Sequence, residues 1–275
     1  MFITIINDCR DDNARARQTS RASNLLNTNV SFVGVQSDLE AGVQLLDMLD
    51  ATEGAEGLIL VNVAPRGGHT TKWENGTPFA YFYYQKTLIV TSVDGFALSA
   101  VKKLGLVDSV SLLDTHTATK AMEEAGFITS EAADRIPGSQ FRSFDFIPRV
   151  GAFILSGHSA PNEPHSLDNI PDLPNAIWHI DNFGNCKTTL TPADLKDKKE
   201  LTTRYGTLPY IEHLRDVPDT QEAVICGSSG LGDNRWLELV QQRTPFATTH
   251  SAKVDDDIFA DRSYLTTATK PEKIE

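Results

Sequence analysis

The chain has 275 residues, 40% hydrophobic and 23% charged, which is enough apolar material for one large packed domain or two modest ones. Lysine and arginine number 25 against 37 aspartates and glutamates, a formal charge of −12 that argues against a general nucleic-acid surface. Cys9, Cys186 and Cys226 are widely spaced and form no CxxC pair, so neither a disulfide scaffold nor a zinc knuckle is expected.

The opening run Phe2–Ile6 reads as a strand. It is too short for a signal peptide and has no basic flank, and no apolar stretch approaches the roughly 20 residues that span a bilayer. The expected location is the cytoplasm. A polar, arginine-containing helix follows to about Leu26, then a strand over Val30–Val35. Asp38 reads as the N-cap of an amphipathic helix that reaches Met48-Leu49. Gly57–Val63 is a continuous apolar run, the pattern of a strand buried on both faces of a parallel sheet. Thr87–Val93 and Ser109–Leu113 repeat it, with a helical pattern between them at Gly95–Leu104. This alternation predicts an open α/β sheet over residues 1–157, with helices on both faces and ligands beyond the carboxyl ends of the strands.

From His158 the text turns rich in Pro, Asn, Ser and Asp, so residues 158–175 read as a linker. Ala176–Asp181, Cys186–Leu190, Glu222–Cys226 and Trp236–Val240 are short strand candidates of a small β domain over 176–253. The charged stretch 254–275 reads as a disordered tail.

Several segments carry candidate chemistry. Asp181-Asn182-Phe183-Gly184-Asn185 can present a carboxylate and an amide beside a flat apolar ring, which suits a ligand with an amino-acid group and a planar base. The same composition also makes an ordinary Asx-type turn. Cys226-Gly227-Ser228-Ser229-Gly230 follows an apolar strand and offers hydroxyls and N–H groups, or is simply a loop. Asp8 ends the first strand, where carboxylates hold ribose hydroxyls or cap helices. Ala64-Pro65-Arg66-Gly67-Gly68-His69 matches neither the P-loop nor GxGxxG. The seven histidines show no ligand spacing, so no metal is expected.

Taken in order, these segments resemble the SAM hydroxide adenosyltransferase family, relatives of the S-adenosyl-L-methionine (SAM) dependent fluorinase and chlorinase. Asn7-Asp8 stands where that family ends its first strand in Thr-Asp or Ser-Asp. Val63-Ala64-Pro65-Arg66-Gly67-Gly68 stands for its Val-Asp-Pro-Gly-Val-Gly, and Ser92-Val93-Asp94-Gly95 for Pro-Asp-Asn-Gly. Phe141-Arg142-Ser143-Phe144-Asp145 is similar to Phe-His-Gly-Arg-Asp, with Pro148 behind it. Asp181–Asn185 with Thr188-Thr189 is similar to Asp-Arg-Phe-Gly-Asn followed by Thr-Asn. Gly227–Gly230 and Trp236–Val240 resemble the closing Asn-Ser-x-Gly-Tyr-Leu-Glu-Leu-Ala segment.

The resemblance implies a Rossmann-like N-terminal domain, a C-terminal β-barrel domain and a homotrimer with SAM between neighbouring subunits. It implies no cofactor, with SAM as substrate or ligand. Asp8 would hold the ribose, Phe183 would face adenine, and Asp181, Asn185, Ser228 and Ser229 would hold the methionine end. The family's water-positioning Asp, Arg and His fall on Ala64, at or beside Thr71, and on Arg142. Ser143 falls where the halogenases have a halide-binding serine. A replacement catalytic set would draw on Arg142, Ser143, His69 or Arg66. The expectation is a SAM hydrolase forming adenosine and L-methionine, or else a degenerate module that only binds SAM or adenosine.

Overall fold

The computed structural model describes residues 1–64 and 77–259. The chain divides into two units, one of Met1–Leu173 with Gly230–Gly232, the other of Pro174–Ser229 with the described residues from Asp233 onward.

The first unit begins with β1 (Phe2–Asn7), α1 (Asp12–Leu26), β2 (Val30–Gly34), α2 (Asp38–Ala51) and β3 (Gly57–Asn62). It continues with β4 (Phe79–Tyr84), β5 (Thr87–Ser92), α3 (Ser99–Lys103) and β6 (Ser109–Leu113). Four helices follow, α4 (Thr115–Glu124), α5 (Ser130–Arg135), α6 (Arg142–Asp145) and α7 (Ile147–Leu155), and then β7 (Glu163–Ser166). The sheet order is β2-β1-β3-β5-β4-β6-β7. β2, β1, β3 and β5 run parallel, β4 is antiparallel to both β5 and β6, and β7 is antiparallel to β6. The fold is therefore mixed α/β.

Burial on both faces explains the unbroken apolar runs of the central strands. Ile3, Ile5, Leu58, Leu60, Leu88 and Val90 pack into one cluster with Val150 and Phe153 of α7. The pleat sends Ile59 and Val61 to the opposite face, where they are fully buried and α2 contacts β1 and β3. The helices α1, α2, α4 and α5 start on side-chain caps. Asp11 Oδ1 accepts from the Ala14 N–H at 3.0 Å to begin α1, a contact typically worth about 1 kcal/mol.

Three expectations for this unit are corrected. Ser37, not Asp38, caps α2, with its hydroxyl accepting from the Glu40 N–H at 3.2 Å. The Asp38 carboxylate is instead engaged by the Phe96 N–H at 2.7 Å. Of the stretch Gly95–Leu104, only Ser99–Lys103 is α-helical. Residues 158–173, read as linker, belong to the first unit, and Glu163–Ser166 form its edge strand. An edge strand bonds on one side only, so it tolerates Pro164 and polar residues that a central strand would not.

The second unit contains β8 (Ile177–Ile180), β9 (Cys186–Thr188), β10 (Glu200–Thr203), β11 (Gly206–Pro209), β12 (Glu222–Leu231), β13 (Asn234–Gln241) and α8 (Phe246–His250). A sheet of order β12-β13-β9-β8 accompanies the β10–β11 hairpin. Ile177, Cys186, Leu190, Leu237, Leu239 and Phe246 form its core. Gly227–Gly230, read as a loop beyond a strand, lie inside β12. The start of the supposed tail is packed: Ile258 is fully buried in this core, and Asp256 Oδ2 accepts from the Tyr205 hydroxyl at 3.0 Å. Residues 260–275 of that expectation lie outside the described residues. No described helix is long and apolar enough to cross a membrane.

Candidate functional site

The carboxyl ends of β1, β3 and β5 lie side by side in the first sheet. Asn7, fully buried at the end of β1, anchors the turn that follows. Its Nδ2 donates to Gln18 Oε1 at 2.9 Å and its Oδ1 accepts from the Cys9 N–H at 2.7 Å. Asp8 is thereby fixed beside the end of β3, where its Oδ2 accepts from the Ala64 N–H at 3.1 Å. One strand over, Ser92 Oγ accepts from the Val63 N–H at 3.4 Å. Ser92 pairs in register with Phe79 of β4, and the guanidinium carbon of Arg142 stands 5.0 Å from the Phe79 ring centroid. A row of contacts thus runs from Asp8 to Arg142 across the carboxyl ends of β1, β3 and β5 and the start of β4.

Two atoms of these segments are poorly provided for. Asp8 Oδ1 and Ser143 Oγ are both buried and have no hydrogen-bond partner among the described residues. Ser143 as a whole is only 5% exposed. A buried polar atom left unbonded costs about 1–3 kcal/mol, a cost that a bound ligand or water would offset. Burial lowers the Arg142 pKa from its usual value, yet a guanidinium keeps its charge at neutral pH. Asp94, 7% exposed at the end of β5, accepts from the Gly95 N–H at 3.0 Å.

In the second unit, Asp181–Asn185 forms the turn between β8 and β9. Asp181 Oδ1 accepts from the N–H groups of Phe183 and Asn185, both at 2.9 Å, and Oδ2 accepts from Asn185 Nδ2 at 3.0 Å. The carboxylate is therefore employed in building the turn. Gly184 adopts φ +82°, and a Cβ there would come within 2.5 Å of the Pro245 Cβ, so only glycine fits. The product of this geometry is Phe183, held on a bonded turn with its side chain out, 70% exposed.

Ser228 is exposed and its carbonyl accepts from Arg235 Nη1 at 3.0 Å, whereas Ser229 is buried with its hydroxyl against Lys187 Nζ. Lys187 is paired across the sheet with His179 on one side and Glu238 on the other. Glu238 is 6% exposed and its Oε1 occupies the space beside Gly227, where a Cβ would come within 2.4 Å. Sequence reasoning missed Lys187 and Glu238. The available signal was Lys187 standing alone between Cys186 and Thr188, which are both buried on the opposite face. Arg66, Gly67, Gly68, His69 and Thr71 lie outside the described residues. Among the described residues no group of three or more His, Cys, Asp or Glu is placed to hold a metal ion.

No family model matches the chain, and no curated protein matches it. Its fold is shared by an uncharacterized conserved protein from Thermotoga maritima, with a TM-score of 0.64 at 15% identity, covering 93% of this chain and 98% of that one. A conserved hypothetical protein from Thermus thermophilus matches with a TM-score of 0.57 at 15% identity, covering 92% and 97% of the two chains. At this identity the likeness concerns the fold alone.

Proposed function

We propose that the protein binds SAM at the row across the strand ends of the first unit and hydrolyses it to adenosine and L-methionine. The observation that supports this best is the pair of buried oxygens without a partner among the described residues, Asp8 Oδ1 and Ser143 Oγ, in segments that resemble the ligand segments of the SAM hydroxide adenosyltransferases. In this reading the first unit is Rossmann-like, the second is a β-barrel domain, and a cytoplasmic homotrimer completes each site from two subunits. Asp8 takes the ribose hydroxyls, Phe183 faces adenine, and Asn185, Ser228 and Ser229 hold the methionine end. Asp181 contributes through the turn that it builds.

The reaction needs little beyond alignment. Water attacks the ribose C5′, the C5′–S bond breaks with its electron pair passing to sulfur, and the neutral thioether of methionine departs. The water proton passes to solvent. A cationic leaving group makes orientation and dehydration of the nucleophile the main tasks, and Arg142 and Ser143 supply the donors for them.

A binding-only reading has its own support. Ala64 carries a methyl group where the family has an acid, and its N–H is already given to Asp8. A half-buried arginine beside a sulfonium is also unfavourable, since two cations repel in a partly screened site. Incubation of the purified protein with SAM, followed by chromatography for adenosine and L-methionine, together with calorimetric titration by SAM and by adenosine, separates the readings. Product supports hydrolysis. Saturable binding without product leaves the binding module, and no binding of either compound removes both.

A further inference from the structure

The face of α1 that meets α6 concentrates positive charge in a chain whose formal charge is −12. Asp145 is buried, and three guanidinium groups converge on its Oδ1: Arg135 at 3.5 Å, Arg149 at 3.6 Å and Arg21 at 3.9 Å. Its Oδ2 is already taken by the Ser139 hydroxyl at 2.6 Å. Arg17 adds a fourth cation one helical turn from Arg21, and it makes no ion pair among the described residues. One carboxylate thus faces three guanidinium groups, with a fourth nearby on the same helix as Arg21.

The strain of that imbalance is visible in the groups themselves. The Arg149 pKa is pulled down to about 10 by burial and by Arg21 and Arg135, with Asp145 only partly opposing. Arg21 is lowered too, by burial first and by Arg135 and Arg17 besides. Arg21 Nη1 is buried and lacks a hydrogen-bond acceptor among the described residues, the 3.9 Å to Asp145 being beyond bonding reach.

The cations are also pre-oriented. Phe141 and Phe144 stack with ring centroids 5.6 Å apart. Arg17 lies over both rings at 5.0 and 4.6 Å, and Arg21 lies over Phe144 at 4.1 Å. Beside them lies a shallow, open surface groove of about 410 Å³, lined by Ala16, Arg17, Ser20, Arg21, Asn24 and Phe144. Arg17, Ser20, Arg21 and Asn24 share one face of α1 by their spacing, so guanidinium, hydroxyl and amide donors all border the same space.

We infer that this groove is a binding site for a phosphoryl group, free or carried on a small molecule. Two guanidinium forks with hydroxyl and amide donors beside them offer more donors than one carboxylate can accept, and the three or more oxygens and higher charge of a phosphoryl group use them more fully. Stacking on the phenylalanines holds the guanidinium planes in place before the ligand arrives, which lowers the entropy lost on binding. The site is independent of the SAM reading and stands or falls separately.

The test is calorimetric titration of the full chain with inorganic phosphate, pyrophosphate and a nucleoside monophosphate at constant ionic strength, with chloride as control. Arg17→Gln is the first variant, because Arg17 has no ion pair to lose among the described residues and its removal leaves the ion pairs of Asp145 in place. Arg17→Lys, which keeps the charge but not the planar fork, is the second. Saturable phosphate or pyrophosphate binding, weakened about fivefold or more in Arg17→Gln and partly restored in Arg17→Lys, is expected. Tighter binding of the monophosphate than of inorganic phosphate identifies a phosphate ester as the source, and the reverse identifies the free ion. Absence of saturable binding at millimolar ligand overturns the proposal, and so does equal affinity in wild type and Arg17→Gln. Loss of self-association in Arg17→Gln without any anion binding overturns it as well, and makes the face an interface between copies.

Discussion

Asp8 and Ala64, one following β1 and the other following β3, are joined by a 3.1 Å hydrogen bond from the Ala64 N–H to Asp8 Oδ2. The bond divides the labour of one carboxylate. Its Oδ2 ties adjacent strand ends together, and its Oδ1 is left buried and unpartnered among the described residues.

Asp8→Asn should therefore separate binding from folding. The amide oxygen can still accept from Ala64, so the urea midpoint should move by no more than about 1 kcal/mol equivalent. The remaining position becomes an NH2 donor, and affinity for SAM or adenosine should fall about tenfold by calorimetry. Unchanged affinity would show that Asp8 serves only the scaffold.

Asp181→Ala and Asn185→Ala should differ, because the two side chains do different amounts of structural labour. Asp181 receives three hydrogen bonds within its turn, whereas the Asn185 side chain supplies one of them. Loss of about 1–3 kcal/mol of stability is expected for Asp181→Ala and distinctly less for Asn185→Ala. Phe183→Ala should melt like wild type, its ring being 70% exposed, and should lose ligand affinity if the ring faces adenine. Chemical denaturation of the three variants beside SAM titration decides the matter.

Arg142→Ala distinguishes chemistry from binding. If Arg142 orients the nucleophile, adenosine formation from SAM should be slow in wild type and lost in the variant. If the pocket holds SAM without turnover, removing the cation should improve SAM affinity relative to adenosine. Brisk turnover that the variant matches would remove Arg142 from the reaction.

Cys186 predicts an alkaline limit to stability. Burial, with Asp181, Asp256 and Glu238 nearby, pushes its thiol from 9.0 up to about 12. Below about pH 9 the thiol is protonated in both folded and unfolded chains and contributes no pH dependence. Between about 9 and 12 only the unfolded chain ionises, so stability falls as pH rises through that window. Tyr205 is raised as well, by burial and then by Asp256, and acts in the same direction. Urea midpoints from pH 8 upward should decline more steeply in wild type than in Cys186→Ala, once each is referred to its own value at pH 8. Native Cys186 should also resist alkylation at that pH, since the thiolate is the reactive form.

The central strands were legible because burial on both faces leaves no polar position to interrupt them, as in Gly57–Asn62 and Thr87–Ser92. β7 was not, because an edge strand carrying Pro164 has the composition of a linker. β12 was read as ending at Cys226, yet it continues through Gly227 because that glycine makes room for the Glu238 carboxylate. Small residues demanded by a neighbour look, in sequence, like a loop. Asp8, Ser143 and the Asp181 turn were singled out by motif, but the sharing of the Asp8 carboxylate and the placement of Arg142 over Phe79 depend on strand neighbours remote in sequence. The Arg17–Arg21–Phe144 groove showed only as a polar, arginine-containing helix, since the ring that completes it comes from α6, remote in sequence from α1.

The order β3-β5-β4 sets a sequence of events for folding. Tyr84 pairs with Thr87 across a tight reversal in which Gln85 takes φ +53°, so β4 and β5 can zip together from a short loop. The parallel pairing of Gly57 with Thr87 must close a far longer one, and loop-closure entropy rises with the length of the intervening chain. The local hairpin therefore assembles ahead of the β3–β5 seam that unites the parallel strands with the antiparallel end of the sheet. Pulse-labelling hydrogen exchange during refolding should show β4 and β5 amides protected before those of β1. Simultaneous protection would mean that the sheet condenses as a whole.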